Sequence, residues 1–109
     1  MIPTNVEKEH HPNGQKASEY HYIVGEGGYN SYNYHREDGP ATQCWYENGQ
    51  KWIEAYCING LVHREDGPAF TEWDEYGQKK NEEYYLDNER VYPKSLDDLK
   101  RMVKLMIFK

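Results

Sequence analysis

Apolar and polar residues alternate along short stretches of this chain, and pairs of turn-forming residues separate one stretch from the next. Alternation with a period of two is typical of strands that bury one face. Strands are predicted over residues 7–12, 15–24, 41–47, 50–58, 69–75 and 78–86. Turns are predicted at Asn13–Gly14, Asn48–Gly49, Asn59–Gly60, Tyr76–Gly77 and Asp87–Asn88. The pattern predicts a mostly β fold, an antiparallel meander of hairpins, with a loose terminus at residues 1–6 and a loop at residues 26–33.

One stretch of the chain occurs twice. His-Arg-Glu-Asp-Gly-Pro-Ala spans residues 35–41 and returns unchanged at residues 63–69, which is 28 residues further on. The same offset relates Trp45 to Trp73. An incomplete copy lies upstream, where residues 13–16 align with residues 48–51 at an offset of 35. A fixed period of this size is typical of architectures whose repeated units stack on their neighbours.

The repeats divide a single predicted domain of residues 1–109. A degenerate repeat at residues 7–25 is followed by an insertion loop at residues 26–34, a first full repeat at residues 35–62 and a second at residues 63–92. A predicted helix over residues 95–108 ends the chain.

The Asn-Gly pairs predict tight two-residue turns. A type I′ turn needs positive φ at both central residues, so Asn13–Gly14 is predicted to form one. A two-residue turn at Asn48–Gly49 would place Cys44 opposite Ile53. Cys57 would then lie about 13 Å along the strand from Cys44, too far for a disulfide. Free thiols are expected, and they suit a reducing cytoplasm.

Pairing across these turns divides the strand residues between two faces of the sheet. Recurring Trp, Tyr and Ile/Leu positions indicate that one face is the core. The predicted core face carries Ala41, Gln43, Trp45, Trp52, Glu54, Tyr56, Ile58, Leu61 and His63, followed by Ala69, Thr71, Trp73, Lys80, Glu82, Tyr84, Leu86 and Val91. The opposite face is apolar in the first repeat (Cys44, Ile53, Ala55, Cys57, Val62) and polar in the second (Glu72, Asp74, Asn81, Glu83, Arg90). The apolar end should need a cover.

The C-terminal segment is the candidate cover. Ser95 is a predicted N-cap, and Asp97 and Asp98 suit the positive end of a helix dipole. Apolar residues follow at helical spacing, at Leu96, Leu99, Met102, Val103, Met106 and Ile107. An amphipathic helix packed on its own sheet is the favoured interpretation. A membrane-surface helix and a contact with a partner or a second copy are the alternatives.

The repeated heptad is predicted to be structural. Gly tolerates positive φ, Pro fixes its own φ, and Asp can bond to the backbone nearby. The preceding His-Arg-Glu is predicted to form a local ion pair or a hydrogen bond to a neighbouring repeat. This role is assigned to His35, Arg36, Asp38, Gly39 and Pro40 and to their counterparts His63, Arg64, Asp66, Gly67 and Pro68. An acid–base or metal role for the His/Asp pairs is disfavoured, because catalysis needs one asymmetric constellation and the spacing does not match zinc. No metal and no cofactor are expected.

Composition and charge limit the classes of partner that the chain is expected to bind. Aromatic residues make up 15% of the chain, which predicts a folded protein whose core is made largely of rings. The net charge is −6; residues 93–109 carry five Lys/Arg and two Asp, so the rest carries −9. An acidic body argues against nucleic acid and is compatible with a basic protein surface, although acidity also simply aids solubility. The sequence shows no apolar run of membrane-spanning length and no signal peptide, so no membrane partner and a cytoplasmic location are expected.

Two groups of residues are predicted to contact a partner. Tyr29, Tyr32 and Tyr34 crowd the insertion, and tyrosine gives large contact area at a small entropic cost. Packing of these rings on the end of the sheet is the equally weighted alternative. Glu72, Asp74 and Glu83 form the acidic part of the predicted site.

With its duplicated heptad, the segment from Gln15 to Val91 resembles the MORN-like repeat proteins, in particular the variant with tandem His-Arg-Glu-Asp-Gly-Pro-Ala units found in phages, giant viruses and some bacteria. The resemblance implies stacked β-hairpins in an elongated, twisted sheet and no enzymatic activity. It implies a protein- or lipid-interaction role; some bacterial relatives are regarded as antitoxins. By analogy, the chain is expected to be a phage accessory protein that binds and blocks a host or defence protein in the host cytoplasm. Two full units and a terminal helix depart from a long scaffold.

Four functions are therefore weighed. The leading hypothesis is a non-enzymatic module that binds and neutralises a protein with a basic surface. The second is a structural protein that forms a homodimer or larger assembly through its C-terminal helix or a sheet edge. A small hydrolase or nuclease and a lipid-binding protein are less favoured.

Overall fold

The computed structural model describes residues 4–24 and 32–107, except for the side chains of Tyr32 and Ile107. In chain order the elements are β1 (Asn5–His10), β2 (Lys16–Val24), β3 (Tyr32–Tyr34), β4 (Thr42–Trp45), β5 (Lys51–Ala55), β6 (Cys57–Ile58), β7 (Leu61–Val62), β8 (Phe70–Trp73), β9 (Lys79–Leu86), β10 (Glu89–Val91) and α1 (Leu96–Ile107). The mostly β prediction with a C-terminal helix is confirmed. The predicted loose terminus is wrong for Asn5 and Val6, which belong to β1, and the predicted loop is wrong for Tyr32–Tyr34, which form β3.

The strands form one open antiparallel sheet in the order β1-β2-β4-β5-β8-β9-β10. Three long hairpins, β1–β2, β4–β5 and β8–β9, lie side by side and correspond to the degenerate repeat and the two full repeats. β3 pairs with the end of β2, and β6 and β7 form a separate short hairpin. Each heptad connects a short hairpin or strand to the next long hairpin. One sequence repeat therefore corresponds to one long hairpin of the sheet.

The tips of the long hairpins differ from the predicted turn type. At the second tip the Tyr46 N–H donates to the Gln50 carbonyl at 2.9 Å, and the Gly49 N–H donates to the Tyr46 carbonyl at 3.0 Å. Gly49 has a φ of 88°, whereas Asn48 is not among the residues with positive φ. Such a tip is a turn closed by a bulge with glycine at the left-handed position. The type I′ prediction is wrong for Asn13–Gly14, where again only the glycine has positive φ.

Type I′ geometry occurs instead in the short hairpins. Asn59 and Gly60 have φ values of 51° and 84°, and Asp87 and Asn88 have values of 48° and 70°. Positive φ at both central residues matches the twist of two directly paired strands.

Bulges change the pairing partners of two tryptophans. Cys44 pairs with Ile53 as predicted, but the register then shifts so that Trp45 pairs with Lys51 rather than Trp52. The same shift pairs Trp73 with Lys79. The extra residue lies in the partner strand, at Trp52 in β5 and at Lys80 in β9. Trp45 therefore stays on the side of Gln43, and Trp73 on the side of Thr71, as predicted. The residues that change sides are Lys51 and Lys79, which come opposite the two tryptophans.

The core consists mainly of small and aliphatic residues rather than of Tyr and Trp rings. Among the described residues, the buried apolar side chains are Ala41, Cys57, Ala69, Leu86 and Leu99, and the buried polar ones are Ser18, His35 and Thr71. The prediction of a ring-filled core is wrong. The molecule measures 49 × 39 × 20 Å, so most rings have neighbours on one side and keep part of their surface in solvent.

The helix begins at a cap that the sequence predicted. The Ser95 hydroxyl accepts from the Asp98 N–H at 3.1 Å, and Asp98 in turn accepts from the Lys94 N–H at 2.9 Å. Met102 and Met106 line a cavity of about 450 Å³ together with Leu86 and Val91 of the β9–β10 hairpin. The helix therefore covers the end of the sheet that belongs to the second repeat. The prediction that it covers the apolar face of the first repeat is wrong, because the short connection from β10 holds it beside that strand.

Candidate protein-binding surface

The two heptads make the same bonds in both repeats. The Nδ1 atom of His35 accepts from the Asn59 N–H at 2.9 Å, and that of His63 accepts from the Asp87 N–H at 3.0 Å. Each histidine thus holds the turn of the following short hairpin. The backbone of the heptads also contributes, since the Arg36 N–H donates to the Cys57 carbonyl at 3.1 Å. These bonds lie within a repeat, and the predicted contact with a neighbouring repeat is made instead by Nη1 of Arg36, which lies 3.3 Å from Nε2 of His21.

The arginines close the turn of their own heptad. The Nε atoms of Arg36 and Arg64 each donate to the aspartate two residues on at 2.9 Å. Their Nη1 atoms donate to the Pro40 and Pro68 carbonyls at 3.3 and 3.1 Å. The pKa of Asp38 is lowered because its carboxylate accepts a hydrogen bond from Arg36. The carboxylates that a hydrolase would use are therefore bonded to arginines.

The glycines of the heptad serve a different purpose from the one predicted. Neither Gly39 nor Gly67 has a positive φ. A Cβ atom at Gly67 would lie 2.9 Å from Cζ of Arg64, and one at Gly39 would lie 3.0 Å from Cζ of Arg36. A side chain at either position would displace the guanidinium, which packs against the backbone of the turn. The tolerance of glycine for positive φ is not used at either position.

The predicted tyrosines divide into described and undescribed residues. Tyr29 lies outside the described residues. Tyr32 and Tyr34 belong to β3, opposite Val24 and Tyr22 of β2. The Tyr34 ring is 43% exposed, and its centroid lies 5.9 Å from that of Tyr20. Tyr34 therefore stands at the edge of an aromatic pair and remains open to solvent.

The predicted acidic residues also differ in their roles. The Oδ1 atom of Asp74 accepts from the backbone N–H groups of Tyr76 and Gln78, both at 2.9 Å, so Asp74 stabilises a hairpin tip. Glu83 accepts from the Tyr85 hydroxyl and from the Asn81 amide, both at 2.6 Å, and these two bonds lower its pKa. Glu83 is ionised and held by its neighbours.

The strand register brings the tyrosines and the acids onto one side of the sheet. One row of directly paired residues crosses six strands and consists of Glu7, Tyr20, Thr42, Ala55, Phe70 and Glu83. The adjacent parallel row consists of Glu9, Ser18, Cys44, Ile53, Glu72 and Asn81. We call the side of the sheet that carries both rows the Phe70 face. It has an apolar centre, with Glu7 and Glu9 at one end and Glu72 and Glu83 at the other.

Solvent reaches the apolar centre of the Phe70 face. Cys44, Ile53, Ala55 and Phe70 are all of intermediate burial. At the β1 end, Tyr34 lines a cleft of about 300 Å³ with Glu7, Glu9, Tyr20 and Tyr22. The helix lies on the opposite side, where Leu86 and Val91 face it. Sequence analysis missed Glu7, Glu9 and Phe70 as surface residues, although the alternation of side chains in β1 and β8 carried the signal.

The two thiols do not supply a nucleophile. Both cysteines are free. Burial raises the pKa of the Cys44 thiol and raises that of Cys57 to about 11. Reactive cysteines need a lowered pKa, so both thiols stay protonated and act as small apolar side chains. Within residues 4–24 and 32–107, no group of three or more His, Cys, Asp or Glu side chains is arranged to hold a metal ion.

The opposite side of the sheet is strongly polar. Its central row consists of Lys8, Glu19, Gln43, Glu54, Thr71 and Glu82. The pKa of Glu19 is lowered to about 2, first by a hydrogen bond from His21 and then by one from Lys16. The two sides of the sheet therefore differ in chemistry, and the Phe70 face is the apolar one.

Comparison of the chain with protein-family models, with curated proteins and with solved structures finds no match. Among the helical residues that the structure describes, none forms a segment long and apolar enough to cross a membrane.

Proposed function

We propose that this chain is a non-enzymatic protein-binding module and that the Phe70 face is its contact surface. The observation that carries the proposal is the row in which Tyr20, Thr42, Ala55 and Phe70 lie between two carboxylates, Glu7 and Glu83. An apolar centre with a charged rim is the usual anatomy of a protein interface. A monomer rarely leaves such a strip open to solvent without a use for it.

The charge of the rim indicates the kind of partner. Glu7, Glu9, Glu72 and Glu83 place carboxylates at both ends of the face, and the net charge of the chain is −6. Electrostatic complementarity favours a partner with basic residues around an apolar patch. The Tyr20–Tyr34 pair supplies aromatic anchors of the kind that contribute most to binding energy.

The identity of the partner rests on the resemblance of the heptads. On that basis we propose that the chain is a phage-encoded inhibitor that binds and blocks a bacterial host or defence protein in the host cytoplasm. The internal bonds of the heptads support a non-enzymatic role, because the Nδ1 atoms of His35 and His63 and the carboxylates of Asp38 and Asp66 all bond within the repeats.

The test compares captured proteins between matched variants. The intact chain, Phe70→Ser, Glu83→Lys and the control Glu89→Lys serve as baits in bacterial lysate, and bound proteins are quantified by mass spectrometry. Glu89→Lys makes the same charge change on the opposite side of the sheet. A host protein captured by the intact chain and the control, but lost with the two variants of the Phe70 face, supports the proposal. Equal capture by all four baits contradicts it.

A second candidate function, assembly of copies of this chain, is favoured by one observation. All six residues of β1 are exposed, so the first strand of the sheet presents an open edge. The mass of the chain in solution, measured by light scattering over a range of concentrations, tests it. A dimer or larger species that dissociates to a monomer when a proline is placed in β1 would favour this function over the binding module.

A further inference from the structure

Each long hairpin holds the next one through side chains near its tip. The Asn13 amide donates to the Glu47 carbonyl at 2.9 Å, and the Asn48 amide donates to the Glu75 carbonyl at 2.8 Å. Nε2 of His11 lies 2.8 Å from the Trp45 carbonyl, and the Tyr46 hydroxyl donates to the Trp73 carbonyl at 2.8 Å. Equivalent positions thus make equivalent contacts at both junctions.

A lysine and a tryptophan complete each junction. Nζ of Lys16 lies 5.1 Å from the centroid of the Trp45 ring, and Nζ of Lys51 lies 5.6 Å from that of Trp73. A cation at this distance over an indole is attracted by the ring. Lys79 is the equivalent residue of the third hairpin, and Glu82 holds its ammonium at 3.2 Å, just as Glu54 holds that of Lys51 at 3.3 Å. The third hairpin therefore presents the same lysine, oriented by the same glutamate.

The outer edge of the third hairpin is open where the first two are paired. β10 pairs with β9 only at Tyr84, Tyr85 and Leu86. The Glu83 carbonyl accepts from the Ala69 N–H and so points toward β8. Backbone groups of an antiparallel strand point alternately to its two sides, so the N–H and C=O groups of Glu82 point outward. The alternation is interrupted at Lys80, which is the extra residue of the bulge. Among the described residues, no strand pairs with Glu82 on its outer side.

A second copy of this chain does not fit this edge well. The strand equivalent to β4 and β8 at the start of the chain is β1, which would bring His10 rather than tryptophan to Lys79 and Glu7 to Glu83. The third tip has Tyr76 where the earlier tips have an asparagine amide. Asp74 takes the place of the Tyr46 hydroxyl, and a carboxylate cannot donate to a carbonyl. The contacts that join the hairpins within the chain would be missing.

We propose that the Lys79–Glu83 edge of β9 binds an extended basic segment of the partner protein, which adds a strand to the sheet. This inference rests on the proposed function and names the form of the partner at the edge of the Phe70 face. In the register of β5 with β8, one residue of the added strand faces Glu83, the next faces Glu82, and an aromatic residue lies under Lys79. Basic side chains at the first two positions complement the carboxylates, and main-chain bonds to Glu82 supply affinity.

A synthetic peptide provides the probe. It copies residues 67–74, the strand that fills this edge in the preceding hairpin, with Phe70→Lys, Thr71→Lys and Glu72→Ser. Hydrogen exchange of the protein amides is followed by NMR as peptide is added to the full chain. When nine-tenths of the protein is bound, exchange of the Glu82 amide should slow by about tenfold, because only the free fraction exchanges.

Two matched controls give the test its specificity. A peptide with glutamate in place of the two new lysines should leave the exchange rates unchanged. Glu82→Pro in the protein removes one outward N–H and should abolish the effect, whereas Glu65→Lys, away from this edge, should preserve it. Binding of the lysine peptide without slower exchange at Glu82, or an absence of binding, overturns the proposal.

The capture experiment distinguishes a failure of this proposal from a failure of the proposed function. If a partner captured by the intact chain is lost with Phe70→Ser but retained with Glu82→Pro, the result supports the Phe70 face as the contact surface and contradicts the proposal that the partner adds a strand to β9. If Glu82→Pro loses the partner and Phe70→Ser retains it, the result supports binding at the edge of β9 and contradicts the proposal that the Phe70 face is the contact surface.

Discussion

The Nδ1 atom of His63 accepts a hydrogen bond from the Asp87 N–H at 3.0 Å, across 24 residues of sequence. His35 and Asn59 repeat this relationship at 2.9 Å. In both repeats the histidine of the heptad fixes the first residue of a type I′ turn. The identity of the two heptads therefore follows from a shared structural task.

Removal of the first of these histidines should destabilise the chain more than removal of the second. His35 is 3% exposed, so His35→Ala leaves a cavity and an unpaired Asn59 N–H, and a loss of about 2 kcal/mol is expected. His63 is more accessible, and about 1 kcal/mol is expected for His63→Ala. Urea unfolding followed by tryptophan fluorescence measures both. His10→Ala, on an exposed strand, is the control and should change stability by less than about 0.5 kcal/mol.

The close approach of Arg64 to Gly67 predicts a coupled pair of substitutions. Gly67→Ala places a methyl group in the position of the guanidinium, which lies 4.0 Å from the centroid of the Tyr56 ring. The arginine has to move, and a loss of about 1 kcal/mol is expected. In the Arg64→Ala background the same glycine substitution should cost almost nothing. A double-mutant cycle of unfolding free energies checks this, and additive losses would contradict it.

The asparagine at the second hairpin tip should contribute more than the residue at the third. Asn48→Ala removes the donor to the Glu75 carbonyl and the acceptor for the Gln50 N–H, so about 1 kcal/mol should be lost. Tyr76 occupies the equivalent position in the last tip and is 79% exposed. Tyr76→Ala should therefore stay within about 0.5 kcal/mol of the unsubstituted chain in thermal or urea unfolding.

Acid should destabilise the sheet through Glu19. The pKa of Glu19 is lowered to about 2, chiefly by the hydrogen bonds from His21 and Lys16, below an ordinary value of 4.5. The unfolded chain therefore takes up this proton at a higher pH than the folded chain does. The stabilisation from Glu19 is complete above pH 4.5 and is lost as the pH falls towards 2. Unfolding free energies measured from pH 7 to pH 2 should fall less steeply for Glu19→Gln.

The two thiols should differ in their rate of labelling. Burial raises the pKa of Cys57 to about 11, and this side chain is 5% exposed. Cys44 is less buried, on the Phe70 face. A disulfide reagent at pH 8 should modify Cys44 first and Cys57 only at the rate of opening, because the thiolate is the attacking species. Modification of Cys44 alone should weaken partner binding if the Phe70 face is the contact surface.

The sequence was most informative where the period and the turn residues determine the structure. The repeated heptad and the Asn-Gly pairs predicted the order of the hairpins, and Ser95 predicted the start of the helix. The pairing of Trp45 with Lys51 could not be predicted from alternation, because a bulge residue in β5 shifts the register. Nor could the role of Gly67, which depends on the position of an arginine side chain rather than on φ.

The candidate surface was only partly predictable. Tyr34 and Glu83 were proposed separately, as part of an aromatic insertion and an acidic strand. Their presence on one face depends on the register of strands between them, which lie far apart in the sequence. Asp74 was included for its charge, but its carboxylate is occupied by the backbone of a tip. Charge alone does not distinguish a solvent-facing acid from one that closes a turn.

The contacts between hairpins run in one direction, from the asparagine and lysine of one unit to the carbonyl and tryptophan of the next. The array therefore has a polarity, and its two ends are not interchangeable. The middle hairpin supplies the asparagine and lysine of one junction and the carbonyl and tryptophan of the other. Its duplication would therefore lengthen the sheet without creating a new kind of junction. Exchange of the first unit with the last would leave donors facing solvent and Trp73 without a cation. The length of such a chain can change during evolution by whole units, provided that the order of its ends is kept.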